Sequence, residues 1–416
     1  MRNHQETIPT PAGLFTSGDP VRAWTVSTTK PISYQVSFAP RVLDPDNPAL
    51  VSAGATTGAA ARSTTGGART RRLLVVEARV YELYGDRIRA YADANRIDHT
   101  MYVLPAHERL KTMESVFRVA AAMDHFGIAR RCEPVIAVGG GVLLDIVGLA
   151  CSLYRRSTPY VRVPTTLIGL VDAGVGAKTG VNFGPHKNRL GTYHPADATL
   201  LDPSFLATLG RRHLSNGMAE ILKIGLIKDR CLFDLLDQHG ERLIAERFGR
   251  TAQGGGPGDE VLARAVHGML QELQPNLWEH QLERVVDYGH SFSPTLEMRA
   301  LPALLHGEAV SLDMALTTVV AWQRGLTDAS RRDQVLNLMS RLRLPVWHPL
   351  CEPGVLADAL ADTVRHRDGS QRLPLPVGIG DAVFVNNLTA SEITSAALLL
   401  REHQRRRDTA REARHA

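Results

Sequence analysis

Several features that define other protein classes are scarce in this sequence. Of its 416 residues only 6% are aromatic and four are cysteines, and no two cysteines form a Cys-x-x-Cys pair. Scattered cysteines argue against a disulfide framework and a thiolate zinc site. No run approaches the ~18 apolar residues that a membrane span requires. The opening MRNHQETIPTPAGLF lacks the apolar stretch of a signal peptide. We therefore expect a cytoplasmic protein in a reducing compartment.

The charge balance is mildly basic. Lys and Arg number 48 against 43 Asp and Glu, a net charge of +5, and residues 401–416 alone hold six arginines against three acids. Nucleic-acid binding requires a basic face or a stacking motif as well, and neither is evident. We expect the basic tail to be a solvated helix end, and the binding partner to be a small molecule rather than a nucleic acid or a membrane.

Strand and helix patterns alternate in the first half of the chain. Residues 73–77 (LLVVE), 101–104 (MYVL) and 134–138 (PVIAV) favour buried strands, and 32–38 (ISYQVSF) alternates like a strand. The intervening segments have helical periodicity over 80–95, 111–126 and 141–154. Such alternation predicts parallel βαβ units. We expect residues 1–30 to be a loosely held arm, and 44–70, rich in Pro, Gly, Ala, Ser and Thr, to be a flexible loop.

Strand patterns fade after residue 208. Helices are favoured over 217–236, 259–273, 304–324 and 330–342, with a flexible break at 254–258 (GGGPG). The sequence therefore predicts an α/β domain over 1–207 and a helical domain over 208–416 that carries the basic tail.

A glycine-rich turn follows the strand in PVIAVGGGVLLD, residues 134–145. Glycines let the backbone approach a phosphate, and the next helix offers free N–H groups at the positive end of its dipole. The spacing is not GxGxxG, so dinucleotide binding and a simple tight turn both remain open.

Polar side chains are unusually dense in the apolar segment VPTTLIGLVDAGVGAKTGVN, residues 163–182. A lysine among glycines and hydroxyls can hold a phosphate or a developing oxyanion. The alternative is a surface loop with a solvated lysine. The polar residues are Thr165, Thr166, Asp172, Lys178, Thr179 and Asn182.

Separated Glu and His residues form a third candidate site. Glu220 and Lys223 are three residues apart and share one face of a predicted helix. His290 follows Asp-Tyr-Gly, and His306 opens the apolar helix HGEAVSLDMAL. Two histidines and a carboxylate are a common catalytic zinc set. No local spacing such as HExxH joins them, however, so spacing alone does not select them from the 16 histidines.

Taken together, these segments resemble the sugar phosphate cyclases, the family of 3-dehydroquinate synthase. The resemblance covers about 73–381, and its most specific stretches are GGGVLLDIVG, VPTTLIGLVDAGVGAKTGVN, NGMAEILKIG, DYGHS and HGEAV. It implies a Rossmann-like NAD-binding N-terminal domain and an all-helical metal-binding C-terminal domain. It also implies that Glu220, His290 and His306 hold one divalent metal, Zn²⁺ or Co²⁺.

Further site residues are implied by the same resemblance. Arg156 matches an arginine that reaches the neighbouring subunit's site, which implies a homodimer. Positions that contact substrate are matched by Asp172, Lys178, Asn188 and Lys223. Positions around NAD are matched by Glu77, Glu108, Lys111, Gly140, Gly141, Val142, Asp145, Thr165, Thr166, Lys187 and Thr208.

The chain departs from dehydroquinate synthase around the first metal histidine. That enzyme carries RxxxNFGHxxxH, whereas this chain has ERVVDYGHSFSP, so Glu283, Asp287 and Pro294 replace an arginine, an asparagine and a second histidine. An upstream lysine is replaced near Met269, and a lysine-rich C-terminal element becomes RHRDGSQR, residues 365–372.

These replacements predict a different substrate. Arg and Lys would pair with a substrate carboxylate, whereas Glu283 and Asp287 would repel it, at ~4 kcal/mol for charges 4 Å apart in a medium of effective dielectric constant about 20. A polyol end whose hydroxyls donate to Asp287 would suit instead. Because Lys178, Asn188 and Lys223 are kept, we expect a sugar phosphate with a neutral hydroxymethyl ketone end, sedoheptulose 7-phosphate.

DYGHSFSP and HRDGSQRLPLP resemble the 2-epi-5-epi-valiolone synthases of C7-cyclitol pathways. The resemblance implies a carbon–oxygen lyase: transient oxidation by NAD⁺, phosphate elimination, return of the hydride, and intramolecular aldol closure to 2-epi-5-epi-valiolone. Lys178 and Lys223 would neutralise the phosphate, and Asp172 would orient hydroxyls. The phosphate itself would accept the proton where Pro294 replaces a histidine.

Other functions stay open from the sequence. Desmethyl-4-deoxygadusol synthase also takes sedoheptulose 7-phosphate, and dehydroquinate or 2-deoxy-scyllo-inosose synthase are further cyclases. Metal-dependent polyol dehydrogenases share the architecture but would accumulate NADH, whereas a cyclase shows no net redox change. An NAD-binding regulatory or scaffold protein would not need three metal ligands.

Overall fold

The computed structural model describes residues 12–18, 22–54, 70–249 and 255–415, with side chains through residue 409. The chain divides into two compact units, Met1–Tyr34 and Gln35–Ala416. In the first unit, β1 (Gly13–Ser17) and β2 (Ala23–Ser27) form an antiparallel hairpin within the segment expected to be an arm. Residues 55–69 of the expected loop lie outside the described residues.

The second unit begins with alternating strands and helices. In chain order they are β3 (Gln35–Phe38), α1 (Ala49–Ser52), β4 (Arg71–Glu77), α2 (Ala78–Ala94), β5 (Asp98–Leu104), α3 (Met113–Phe126), β6 (Val135–Gly139), α4 (Gly141–Leu153), β7 (Tyr160–Pro164), β8 (Lys178–Phe183), β9 (His186–Tyr193) and β10 (Ala198–Leu201). β8 and β9 pair with each other as an antiparallel hairpin. The other six strands form one parallel sheet in the order β3-β10-β7-β6-β4-β5, which confirms the predicted βαβ units.

The parallel sheet is covered on both faces, because successive side chains of a strand point to opposite sides. In β4, Leu74 and Val76 join the cluster formed with α2. Leu73 and Val75 join the opposite cluster, formed with α3 and α4. This two-sided burial explains why LLVVE is continuously apolar rather than alternating.

The strand order reverses between β4 and β6. From β4 the chain moves outward to β5, then returns to the other side of β4 to form β6. Ligands of open α/β sheets bind at such a switch point, outside the carboxyl ends of the strands. Glu77 ends β4, and the Gly139–Gly141 turn follows β6, so the two features flank the crevice that this topology favours.

The rest of the chain is mainly helical. It contains α5 (Arg211–Ile227), α6 (Arg230–Ala245), α7 (Pro257–Leu273), α8 (Ser293–Ala300), α9 (His306–Gln323), α10 (Ala329–Arg341), α11 (Pro353–His366), the hairpin β11 (Leu373–Pro376) with β12 (Ala382–Val385), and α12 (Ala390–His415). The basic tail falls in α12. Among the described helices, none combines the length and apolar character required to cross a membrane.

Two local predictions for the helical part were wrong. The pattern over 217–236 predicted one helix, but the chain breaks at Lys228 and Asp229, where the Asp229 side chain accepts a hydrogen bond from the Leu232 N–H at 3.0 Å and caps α6. The β11–β12 hairpin was also missed, because a four-residue strand containing two prolines gives little period-2 signal. The boundary at 207/208 stays a prediction.

α5 packs closely against the segment that follows β7. A Cβ on Gly217 would lie 2.5 Å from the Leu167 side chain and 2.9 Å from the Ile168 backbone nitrogen. The absence of a side chain at Gly217 therefore lets this helix approach the segment that carries Asp172.

We expect Gly217→Ala to destabilise the fold by about 1–3 kcal/mol, because overpacking outweighs the better helix propensity of alanine. The measurement is the thermal midpoint of unfolding. Gly354→Ala is the matched control, since a Cβ there meets nothing within 4 Å, and its midpoint should stay equal or rise. A Gly217→Ala variant as stable as the control would show that the backbone adjusts freely.

Candidate active site

Glu220, His290 and His306 converge from three separate elements. Glu220 lies within α5, His306 opens α9, and His290 lies in the turn before α8. One potential ligand atom from each lies within 4.8 Å of the other two. Glu220 Oε1 is 3.3 Å from His306 Nε2 and 3.8 Å from His290 Nε2. The fold thus unites residues that no local spacing connects.

Both histidines present Nε2 to the Glu220 carboxylate because Nδ1 is engaged elsewhere. His290 Nδ1 lies 3.2 Å from the Tyr288 carbonyl, and His306 Nδ1 lies 2.9 Å from Glu297 Oε2. Outer partners of this kind orient histidine ligands of metals.

The donor set fits a divalent cation. Both oxygens of Glu220 are buried and have no hydrogen bond of acceptable geometry among the described residues, although Lys223 Nζ lies 2.6 Å from Oε2. Lys223 balances the charge of this carboxylate, but its buried oxygens keep unused acceptor capacity, which a bound cation would fill. Two imidazoles and one carboxylate are a common catalytic ligand set for Zn²⁺ or Co²⁺.

Charge around Glu220 is balanced within the buried cluster. Burial opposes its ionisation, but Lys223 and the two histidines hold the pKa of Glu220 well below its ordinary value. Burial together with the Glu220 charge raises the pKa of Asp172, against the effect of Lys223. Burial and Lys223 lower the pKa of His290 to about 3, so its imidazole is neutral, as a metal ligand must be.

The turn that carries His290 is fixed from both sides. Gly289 has φ +77°, and a Cβ there would lie 2.8 Å from Val310. Asp313 of α9 accepts the backbone N–H groups of Ser291, Phe292 and Ser293 through one oxygen, at 2.5–3.0 Å. The DYGHS motif therefore has a structural reason for its glycine.

The predicted NAD positions gather mostly at the carboxyl edge of the sheet. Glu77 caps α2, its Oε2 accepting the Val80 N–H at 3.0 Å. Gly140 precedes α4 without a side-chain cap on that helix's free N–H groups, which suits a phosphate. A Cβ on Gly140 would lie 3.0 Å from Thr166, so close packing of the turn also requires the glycine.

A polar network ties the β8–β9 hairpin to this edge. The buried Lys111 ammonium donates to Asp145 Oδ2 at 2.5 Å and to Asn188 Oδ1 at 2.6 Å. Asn182 donates to Glu108 Oε1 at 2.8 Å and accepts from the Asn188 N–H at 2.9 Å. Four residues predicted to contact cofactor or substrate (Glu108, Lys111, Asp145 and Asn188) thus meet.

Other predicted cofactor residues take different places. Thr208 Oγ1 is 2.9 Å from the Tyr84 hydroxyl, and Thr165 donates its N–H to the Gly139 carbonyl at 3.0 Å. Lys187 lies beside the three convergent residues, with Nζ 2.5 Å from Glu297 and 3.0 Å from His306 Nδ1. Its assignment to the cofactor stays a prediction.

Arg162 holds the backbone between Asp172 and Lys178. It is only 1% exposed, and its guanidinium donates to the carbonyls of Gly174, Gly176 and Lys178 at 2.5–3.4 Å. Carbonyls thereby satisfy the two terminal nitrogens of a buried cation, while its Nε has no hydrogen bond among the described residues. The path of the polar segment 163–182 is set by a side chain of β7.

Asp287 is held ionised by neighbouring cations. Its carboxylate lies 3.0 Å from Arg284 and 3.8 Å from Arg367. Burial opposes ionisation, but Arg284, Lys178 and Arg367 hold the pKa of Asp287 below its ordinary value. Asp287 is therefore an ionised hydrogen-bond acceptor, and its contact with substrate hydroxyls stays a prediction.

The repulsion predicted for Glu283 needs correction. Glu283 is exposed, whereas Arg284 is largely buried. Arg284 has extended dihedrals, and neighbouring side chains on extended backbone point to opposite sides, which directs Arg284 inward and Glu283 outward. The two acids were expected to make this region negative, but Arg284 and Arg367 lie beside Asp287 and offset that charge.

Arg156 lies apart from this cluster. Arg156 is exposed and follows α4, which leads from the carboxyl edge of β6 to the amino edge of β7. It is therefore on the far side of the sheet from the switch point, and its role in a neighbouring subunit stays a prediction. Met269, the residue near which the family's lysine is replaced, is buried in the helical core.

Lys178 is more than half exposed and pairs with Glu279.

Sequence reasoning missed several charged residues of the site. Three of them have partners far away in the chain, and the other two, Glu279 and Arg284, pair with each other five residues apart, which is not a motif spacing. They are Glu279, Arg284, Glu297, Asp313 and Arg367.

Comparison with known proteins gives a consistent result. The family models for the 3-dehydroquinate synthase N-terminal and C-terminal regions match residues 101–216 and 217–366. A 2-epi-5-epi-valiolone synthase from Actinomyces sp is 60% identical, over 91% of this chain and 98% of the relative. A demethyl-4-deoxygadusol synthase from Trichormus variabilis (strain ATCC 29413 / PCC 7937) is 41% identical, over 78% of this chain and 80% of the relative.

A solved structure agrees in fold. ValA, the 2-epi-5-epi-valiolone synthase from Streptomyces hygroscopicus subsp. jinggangensis 5008 with NAD⁺ and Zn²⁺ bound, is 56% identical, with a TM-score of 0.85 over 91% of this chain and 100% of that one. This chain belongs to the sugar phosphate cyclase family, the family of 3-dehydroquinate synthase. Within that family it is similar to the 2-epi-5-epi-valiolone synthases over nearly its whole length.

The Asp313 contacts generate a pH prediction. Burial raises the pKa of Asp313 from 3.8 to about 6, and its second oxygen is buried with no hydrogen bond among the described residues. The folded chain therefore keeps a proton that the unfolded chain loses above pH ~4. This contribution to stability is full below the unfolded pKa and is lost as the pH rises through about 6, by roughly 3 kcal/mol.

Asp313→Asn cannot titrate, so the free energy of unfolding of wild type should fall relative to this variant between pH 4 and pH 7. Chemical denaturation at several pH values, with chelator present throughout, measures the difference. Parallel pH curves for the two proteins would contradict the raised pKa.

Proposed function

We propose that this protein is an NAD- and metal-dependent carbon–oxygen lyase that converts sedoheptulose 7-phosphate to 2-epi-5-epi-valiolone and phosphate. The observation that carries the proposal is the buried Glu220 carboxylate, unsatisfied by hydrogen bonds and facing two Nε2 atoms. Support comes from the 60% identity to a 2-epi-5-epi-valiolone synthase and from the NAD⁺ and Zn²⁺ bound to ValA.

We assign residues of this chain to each of the two groups. Glu220, His290 and His306 would hold the cation, and Glu77 with the Gly140–Gly141 turn would receive NAD at the switch point. Bound there, NAD⁺ supplies a reversible hydride acceptor and the cation supplies Lewis acidity.

Two lysines and an aspartate would serve the phosphate and hydroxyl groups of the substrate. Lys223 is buried beside Glu220, and Lys178 is exposed at the start of β8, so both can pair with phosphate oxygens once Glu279 releases Lys178. Asp172 lies in the buried cluster and would orient hydroxyls by accepting hydrogen bonds.

The elimination needs a base for the proton adjacent to the transient ketone. Pro294 offers no proton acceptor at the position where dehydroquinate synthases have a histidine. We assign this proton to the departing phosphate: as the carbon–oxygen bond breaks, a phosphate oxygen takes the proton and the electron pair of the C–H bond forms the double bond. The chain's part is to hold the phosphate over that carbon.

The other end of the substrate would meet Asp287. An ionised carboxylate accepts hydrogen bonds from hydroxyls and offers nothing to a carboxylate. Because Arg284 and Arg367 keep Asp287 ionised, this end of the site favours a neutral polyol.

We propose a homodimer in which Arg156 serves the neighbouring subunit's site, since its own sheet separates it from the residues above. We also keep the division into an NAD-binding domain over 1–207 and a metal-binding domain over 208–416.

Turnover tests the proposal directly. Purified protein with NAD⁺ and Zn²⁺ or Co²⁺ should release phosphate from sedoheptulose 7-phosphate and yield a cyclic seven-carbon ketone by mass spectrometry, with no net NADH. Chelation should abolish the activity, and added metal should restore it. Stoichiometric NADH without phosphate release would indicate a polyol dehydrogenase. Turnover of only the carboxylated substrate would indicate a dehydroquinate synthase, and NMR separates valiolone from gadusol products.

Asp287→Asn tests substrate recognition. We expect kcat/KM for sedoheptulose 7-phosphate to fall about 10–100-fold, because a hydrogen bond to a charged group contributes about 1.5–3 kcal/mol. Glu283→Gln, at the exposed neighbouring acid, should change kcat/KM less than twofold. If kcat/KM instead fell strongly in Glu283→Gln and not in Asp287→Asn, Glu283 rather than Asp287 would be the acid that meets the substrate.

A further inference from the structure

His306 Nδ1 has two competing neighbours. Glu297 in α8 is 2% exposed, and its Oε2 lies 2.9 Å from His306 Nδ1. The Lys187 ammonium lies 3.0 Å from the same nitrogen and 2.5 Å from the same carboxylate oxygen. Each of the three groups thus contacts the other two, and they come from β9, α8 and α9.

When the His306 imidazole is neutral, as a metal ligand must be, hydrogen placement among these three groups has two solutions. An ammonium can only donate, a carboxylate can only accept, and a neutral imidazole nitrogen does one or the other. If Nδ1 carries hydrogen it donates to Glu297, and Nε2 presents a lone pair toward Glu220. If Nδ1 lacks hydrogen it accepts from Lys187, and Nε2 carries the hydrogen instead. Only the first arrangement leaves Nε2 able to bind a cation.

His290 shows the contrast. Its Nδ1 faces the Tyr288 carbonyl at 3.2 Å, which can only accept. The hydrogen of His290 is therefore held on Nδ1 by the backbone. His306 differs because one neighbour of its Nδ1 favours the metal-binding form and another opposes it.

We propose that Glu297 is a positioning residue that keeps His306 Nε2 free for the metal by accepting the Nδ1 hydrogen in competition with Lys187. The inference rests on the metal site of the proposed function. Lys187 has a double effect: it neutralises the buried Glu297 carboxylate, and it becomes the donor to Nδ1 when that carboxylate is removed.

Co²⁺ binding tests this without turnover. Affinity is measured by competition with a chromophoric chelator, and coordination by the visible absorption of Co²⁺. Wild type should bind one Co²⁺ per chain. Glu297→Ala should weaken binding about 10–100-fold, as expected for a lost outer partner. Glu297→Gln preserves the volume, and it should also weaken binding, so the test survives if the alanine variant fails to fold.

A double variant distinguishes competition by Lys187 for His306 Nδ1 from the simple loss of the Glu297 contact. Lys187→Met combined with Glu297→Ala removes the opposing donor, so Co²⁺ affinity should recover by at least threefold over Glu297→Ala. Glu272→Gln is the matched control, because Glu272 pairs with Lys228 at 2.5 Å in an ion pair without a histidine. Its Co²⁺ affinity should equal that of wild type.

Nitrogen NMR excludes a purely electrostatic explanation. With ¹⁵N-labelled histidine, and His306 signals assigned by their loss in His306→Ala, wild type loaded with Zn²⁺ should show hydrogen on Nδ1. Metal-free Glu297→Ala at a pH where His306 is neutral should show it on Nε2. Because Glu220 Oε1 lies 3.3 Å from Nε2 and also favours hydrogen there, the reference is metal-free Lys187→Met with Glu297→Ala, in which the share of hydrogen on Nε2 should fall; an equal share in the two variants would show that Lys187 does not compete for Nδ1.

The failures are distinguishable. Unchanged Co²⁺ affinity in both Glu297 variants, or hydrogen on Nδ1 in Glu297→Ala, would overturn this inference while leaving the metal site standing. Absence of Co²⁺ binding in wild type would overturn the metal site itself, and this inference with it.

Discussion

The structure depends on the need to compensate one buried carboxylate. Glu220 lies inside α5 with both oxygens removed from solvent, and a charge in that position is tolerated only among cations and donors. Lys223 comes from the next turn of α5, His306 from the start of α9, and His290 from a turn fixed by α9. The same helices also pack together in the apolar core, so the site and the helical core are built from the same elements.

Much of the fold could be predicted because it follows from local patterns. Continuous apolar runs such as LLVVE indicated strands buried on both faces, and the βαβ alternation gave the parallel sheet. The break at Lys228 was not accessible, since both sides of it have helical periodicity and only the Asp229 cap ends the pattern. The β11–β12 hairpin was too short and too rich in proline to give a strand signal.

The site divides in the same way. Ordered motifs identified the residues that converge on Glu220, whereas Glu297 and Arg367 act through partners distant in the chain and leave no mark on spacing. Glu283 shows the converse error. The motif position of Glu283 suggested that its charge faces the site. On extended backbone, however, neighbouring side chains point to opposite sides, and it is Arg284 that points inward.

Arg162 has a consequence for exchanging segments between members of the family. Its guanidinium bonds to carbonyls at alternate positions between Asp172 and Lys178, so the path of this segment is encoded in the strand before it. The segment that can be exchanged between family members is therefore longer than residues 172–178. If residues 172–178 alone were transferred to another cyclase, the Arg162 side chain that holds their backbone would be missing. A transferred segment that begins at β7 would include Arg162 and would keep the backbone path.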